Sequence, residues 1–127
     1  GTKPNAGFTP AGVTPWLKVN PNYVTINADQ EVRDQNSVFN FYRQMNLLRA
    51  ANPIITYGDF QPLAEDDEKV WAYQRHYEGQ TLTLVANWTA KNITRACAAT
   101  AGELLQSNYP DDLGETLRPY EVKVYLA

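Results

Sequence analysis

From Ile54 onward apolar and polar residues tend to alternate with a period of two, whereas the stretch before it repeats with the period of a helix. Over residues 37–52, Val38, Phe41, Tyr42, Met45 and Leu48 fall on one helical face. Phe39 and Leu47 lie on the opposite edge and broaden the apolar stripe. Ser37 stands where an N-cap hydroxyl accepts a first-turn amide, and Pro53 follows the last turn. The pattern predicts an amphipathic helix over 37–52 that makes contacts on more than one side.

Beyond Pro53 the period of two predicts strands over residues 54–60, 70–77, 81–88, 93–98, 104–108 and 120–126. In the second, Trp71, Tyr73 and Tyr77 share one face, and Val70 and Ala72 the other. In the third, Leu82, Leu84, Ala86 and Trp88 oppose Thr81 and Thr83, and in the last Tyr120, Val122, Val124 and Leu126 alternate with Glu121 and Lys123. Glu78-Gly79-Gln80 turns the chain between the second and third. Strands so spaced, with turn residues between them, read as an antiparallel sandwich or barrel. The fold class is mainly β: an antiparallel β-sandwich preceded by one helix and a long N-terminal loop.

That loop, residues 1–34, shows almost no periodicity. Pro4, Pro10, Pro15 and Pro21 each bias the preceding residue toward extended backbone. Phe8, Trp16 and Tyr23 argue against plain disorder, because disordered tails are poor in aromatics. Structureless loops beyond about 12–15 residues are usually functional or disordered, so "NAGFTPAGVTPWLKVNPNY" draws attention as a functional stretch.

Composition narrows the function. A chain of 127 residues with 43% hydrophobic positions can build one ordinary core. The formal net charge of -3, with scattered Lys and Arg, gives no footprint for nucleic acid. Cys97 is the only cysteine, so it reads as a small core residue, with neither an intrachain disulfide nor a cysteine zinc site. No apolar run suits a membrane span and the start lacks signal-peptide order, which together give the expectation of a cytoplasmic protein. A start at Gly1 without an initiator Met reads as a processed or cut chain.

No set of catalytic residues emerges. His76, the only histidine, lies in a strand without a nucleophile or orienting acid nearby in sequence, and reads as solvated or hydrogen-bonded. Glu65-Asp66-Asp67-Glu68 is uninterrupted, unlike a calcium loop, and reads as a solvated hairpin loop. Asn87-Trp88-Thr89 and Asn92-Ile93-Thr94 match the glycosylation pattern, which matters only in a secreted chain. No phosphate loop, dinucleotide fingerprint or metal cluster is present, so neither cofactor nor metal is expected.

The segments taken in order do resemble a family. "NAGFT", "TPWLKVNPNY", "FYRQMNLLRAANPIITYGDF", "VWAYQRHYEGQTLTLVANWT", "LLQSNYP" and "LRPYEVKVYLA" are similar to the C-terminal end of α-glucosidases of the α-amylase clan. The subgroup is that of oligo-1,6-glucosidase, dextran glucosidase and trehalose-6-phosphate hydrolase, and the resemblance runs from Asn5 to Ala127. It implies that residues 1–52 are the tail of a (β/α)8 catalytic barrel, namely the loop after strand eight and helix eight. Residues 53–127 would be the Greek-key-like C-terminal β domain.

The resemblance also implies that Asn5, Phe8, Trp16, Asn20, Asn22 and Tyr23 stand at the rim of a sugar pocket. The aromatics would face a glucose ring, and the amides would bond hydroxyls or hold the loop's own backbone. The family's catalytic carboxylates lie on earlier barrel strands, and no acid here matches them. The expected partners are the missing barrel, the oligosaccharide substrate of the whole enzyme, and a second copy through the exposed helix and loop. The competing reading is an autonomous carbohydrate-binding β-sandwich module with Trp71 or Trp88 as stacking platforms.

Overall fold

The computed structural model describes residues 1–98 and 102–127, which form two compact units, Gly1–Asn46 and Leu47–Ala127. In the first, the loop expected over residues 1–34 is more ordered than its sequence pattern suggests. It contains 3-10 turns at Pro4–Gly7 and Pro21–Val24 and a short helix α1 (Ala28–Arg33).

Amide side chains build these turns. Asn20 Oδ1 accepts the Asn22 amide at 3.2 Å and Asn27 Oδ1 accepts the Gln30 amide at 3.2 Å, each capping the turn that follows. Asp29 and Glu31 at the start of α1 and Arg33 at its end complement the helix dipole. Six residues are too few for the 3.6-residue period to show, so α1 is legible only from its cap.

Helix α2 (Val38–Ala51) follows the predicted span to within a residue at each end. Ser37 is buried; its hydroxyl accepts the Asn40 amide at 3.1 Å and donates to the Glu31 carbonyl at 2.6 Å. The Asn40 amide group donates to the carbonyls of Glu31, Val32 and Asp34, closing the C-terminal end of α1 against the first turn of α2. Phe41, Met45 and Leu48 are half-buried, whereas Val38 and Tyr42 are exposed. No side chain of α2 is fully buried.

The second unit opens with a departure from the expected pattern. Residues 54–60 do not form a strand: Ile54–Tyr57 is a single helical turn, α3, and β1 is Gln61–Leu63. Pro53 has a helical φ of -53°, and the amides of Tyr57 and Gly58 bond back to the carbonyls of Pro53 and Ile54 at 2.8 and 3.0 Å. The Arg75 guanidinium donates to the carbonyls of Ile55 at 2.9 Å and Gly58 at 2.6 Å, consuming acceptors that a strand would present to a neighbour. Short apolar runs do not distinguish strand from buried helical turn.

Strands β2 (Val70–Tyr77) and β3 (Gln80–Asn87) form a hairpin in which Tyr77 pairs with Gln80. The two residues between them, Glu78 and Gly79, both have positive φ, the geometry of a tight hairpin turn. The expected strand at 93–98 shortens to β4 (Ile93–Thr94) and a 3-10 turn at Ala96–Ala98. Strand β5 (Glu103–Ser107) carries a register shift between Leu104 and Gln106, and β6 (Thr116–Leu117) pairs with β4. The last strand, β7, is Val122–Leu126, because Tyr120 sits at a φ of 55°, outside strand geometry.

The main sheet has the order β1-β2-β3-β7-β5, antiparallel throughout, and β4-β6 is a separate ribbon. On one face Val70, Ala72 and Val85 pack with Leu117, with Leu63, Ile93 and half-buried Cys97 around them. On the other, Ile54 of α3 packs with Leu82 and Val124. Both faces are thus covered over much of the sheet: the alternation read in β3 and β7 holds, but its polar side is covered as well. Thr83, Asn87, Glu121 and Lys123 are as buried as their apolar neighbours, and Trp88 lies exposed beyond the end of β3.

Buried polar groups need partners, and here they form two linked sets. The Lys123 ammonium, with no exposed surface, donates to Asp112 Oδ1 at 2.7 Å and to the carbonyls of Gly114 and Thr116 at 2.7 and 3.1 Å. Tyr125 donates to Asp112 Oδ2 at 2.7 Å; burial, then the neighbouring carboxylate, pushes its phenol pKa up. Burial also pushes the Asp112 carboxyl up, but its bonds from Lys123, Tyr125 and the Gly114 amide together bring it below its ordinary value. Beside this, Arg118 spans buried Glu121 at 2.7 Å and Asp111 at 2.6 Å and stacks 4.1 Å from the centre of the Tyr109 ring.

Candidate functional site

The six positions expected at a sugar rim separate into two groups. Phe8, Trp16 and Asn20 line one cavity of about 410 Å³ in the first unit, together with Pro15, Leu17 and Lys18. Phe8 and Trp16 present nearly their whole rings, at 81% and 92% exposure. Asn5, Asn22 and Tyr23 do not line it. An open apolar hollow with one ammonium and one amide at its edge matches what sugar rings need, namely flat apolar faces and a few directional polar groups.

Asn5 instead holds the loop. Its Nδ2 donates to Thr9 Oγ1 at 2.8 Å and to the carbonyls of Pro10 and Val13 at 3.3 and 2.9 Å, from a backbone in the left-handed region at φ 54°. Asn22 offers its carbonyl to Thr25 and Ile26, and the Tyr23 carbonyl accepts from Asn27 Nδ2 at 2.9 Å. An Asn5→Ala variant is expected to raise amide exchange over residues 8–13 by about tenfold, the loss of roughly 1.4 kcal/mol from these bonds. Unchanged exchange there would show that the prolines alone hold the loop.

Asp59, Asp67, Asp111, Asp112 and Glu121 of the second unit are each paired with a basic side chain. His76 Nδ1 lies 3.0 Å from Asp59 Oδ1, and the His76 amide donates to the same oxygen at 2.7 Å. That amide bond holds the Asp59 carboxyl below its ordinary value. The acidic run is only partly the solvated loop expected: Asp67 bonds Arg95 Nε at 2.5 Å, which lowers its carboxyl pKa, while Glu65, Asp66 and Glu68 remain exposed.

General acid catalysis at a sugar linkage requires a carboxyl raised toward neutrality. The displaced carboxyls here, Asp59, Asp67 and Asp112, all move the other way. Among the described residues no group of three His, Cys, Asp or Glu side chains is placed to hold a metal ion. Asn87 of the first glycosylation-like triplet is buried, donating to the carbonyls of Lys91 and Arg118 at 2.8 Å each, so it is a structural brace.

Residues 1–58 match the family model of the α-amylase catalytic domain. The chain is 40% identical to an oligo-1,6-glucosidase of Halalkalibacterium halodurans, over 96% of this chain and 23% of that protein. The crystal structure of Bacillus licheniformis trehalose-6-phosphate hydrolase superposes with a TM-score of 0.81 at 35% identity, covering 96% of this chain and 23% of that one. That of the trehalulose synthase MutB from Pseudomonas mesoacidophila MX-45 gives 0.82 at 32% identity, with 96% and 23% covered. The chain spans about a quarter of the length of the relatives it matches. On the match over residues 1–58, the agreement of fold and the similarity along nearly all its length, the chain belongs to the α-amylase family of glycoside hydrolases.

Proposed function

We propose that the chain is the C-terminal part of a retaining α-glucosidase acting on α-glucosidic bonds, α-1,6 bonds foremost, in short oligosaccharides, and that it is itself non-catalytic. Residues 1–52 belong to the tail of the catalytic barrel, and residues 53–127 form the β domain that braces it. The observation that carries this reading is the absence of an apolar core in the first unit. Of residues 1–46 only Ser37 is buried, while Phe8, Trp16, Leu17 and Val38 stand 62–92% exposed. An ordered segment that spends its hydrogen bonds on its own turns yet leaves its aromatics bare is shaped to lie on another surface.

On this reading the Phe8–Trp16 hollow borders the sugar pocket, and the catalytic carboxylates come from the barrel upstream. The test uses the protein extended upstream to the length of its relatives. Trp16→Ala is expected to raise KM for isomaltose about tenfold with kcat little changed, because a rim contact binds substrate and transition state alike. Unaltered kinetics would remove Trp16 from the rim.

A further inference from the structure

The buried Lys123 ammonium sits in a ring of oxygens supplied by one short stretch of chain, and that ring has the make-up of a cation site. Asp112 Oδ1 and the carbonyls of Gly114 and Thr116 converge on Nζ at 2.7, 2.7 and 3.1 Å. One carboxylate and two neutral carbonyls carry a single negative charge, which balances a monovalent cation and no more. The spacing agrees, because calcium takes about six to eight oxygens at about 2.3–2.6 Å, closer than any of these.

The ring does not depend on the lysine for its shape. The Gly114 amide donates to Asp112 Oδ1 at 2.9 Å and the Tyr125 hydroxyl to Oδ2 at 2.7 Å, which together orient the carboxylate. The Thr116 amide donates to the Leu113 carbonyl at 3.2 Å, and Thr116 pairs with Thr94 in the β4-β6 ribbon. Lys123 reaches the loop from β7, a separate segment, so it can be removed without breaking any of these bonds.

We infer that the Asp112–Thr116 loop is a site for a monovalent cation of ammonium or potassium size, which this chain fills with its own Lys123 ammonium. Lys123→Ala keeps Cβ and vacates the space of the outer methylenes and the charged head. An ammonium ion entering there finds the same acceptors in place, and water in the vacated stem supplies a further one. The Asp112 side chain, 33% exposed, opens the loop to solvent and gives the entry path.

The experiment is thermal unfolding of the 127-residue chain, followed by circular dichroism, in ammonium, potassium or tetramethylammonium chloride at equal ionic strength. Tetramethylammonium carries the same charge but has no N–H to donate and is too bulky for the ring. For Lys123→Ala, ammonium and potassium are expected to raise the melting temperature by about 3–5 °C over tetramethylammonium once the cation stands at about ten times its Kd. The unsubstituted chain, and Lys123→Met, whose side chain fills the approach to the ring, are expected to differ by less than about 1 °C among the three salts. Lys123→Ala combined with Asp112→Asn is expected to lose the response. If Lys123→Ala is unfolded in tetramethylammonium, ammonium is expected to restore the folded signal. Equal behaviour of Lys123→Ala in all three salts would overturn the inference, as would a response that survives Asp112→Asn or appears in Lys123→Met.

Discussion

Replacing Asp112 with alanine is expected to cost the β unit about 3–5 kcal/mol, the usual penalty for stranding a buried charge. Against a typical stability of about 5–15 kcal/mol, that is enough to unfold much of the population at moderate temperature. Lys123 has no exposed surface through which water could replace its partner. Its remaining contacts, the carbonyls of Gly114 and Thr116, accept its protons but do not neutralise it. Tyr125 would lose its bond to Asp112 Oδ2 in the same step.

Lys123→Met is expected to be the milder change. It removes the charge and keeps the volume, and the Asp112 side chain it leaves behind is 33% exposed and can hydrate. Urea unfolding followed by circular dichroism measures both, and an Asp112→Ala midpoint equal to wild type would refute the pairing as a stabilising element.

The pH dependence follows with a definite sign. Asp112 is held below its ordinary value in the folded chain, so the unfolded chain binds the proton more readily. The stabilisation is fully present above the unfolded carboxylate pKa of about 4, and is lost as pH falls through the lower folded value. The raised Tyr125 phenol acts oppositely: its contribution is present below about pH 10 and is lost in strong base. Asp112→Asn is expected to flatten the acid limb of the stability curve.

Much of the β unit was legible because a half-covered sheet writes its inside and outside into alternate residues. Strand β2 and the Glu78-Gly79 hairpin follow the pattern closely, with Val70 and Ala72 inward and Trp71 outward. Strands β3 and β7 break the rule at Thr83 and Lys123, where the side nominally polar is also covered. A lysine reads as solvent-facing until its acceptors are known, and those of Lys123 lie 7–11 residues away in a turn with no periodicity of its own.

Residues 54–60 failed as a strand for the complementary reason. The guanidinium of Arg75, 17–20 residues on, captures the carbonyls that decide between turn and strand. At the candidate site, Phe8, Trp16 and Asn20 line one cavity, whereas Asn5 bonds its own loop. An asparagine carries the same donors whether it faces a sugar or a backbone, and only geometry separates the two.

The larger expectation concerns catalysis. Retaining hydrolysis needs a nucleophilic carboxylate and a protonated carboxyl held about 5–5.5 Å apart across the scissile bond. The buried carboxylate here, Glu121, accepts the Arg118 amide and guanidinium, and Asp59, Asp67 and Asp112 are all stabilised as anions. None of the three aspartates is shifted toward the protonated form that a leaving oxygen needs. On the function proposed above, the chemistry comes from the catalytic domain outside these residues, and the chain supplies the rim and the brace.

Glucose release from isomaltose, assayed in parallel with the purified 127-residue chain and with the protein extended upstream to its relatives' length, tests this most directly. The account predicts hydrolysis by the longer protein and none above the uncatalysed background by the chain alone. Glucose released by the 127-residue chain itself would contradict it.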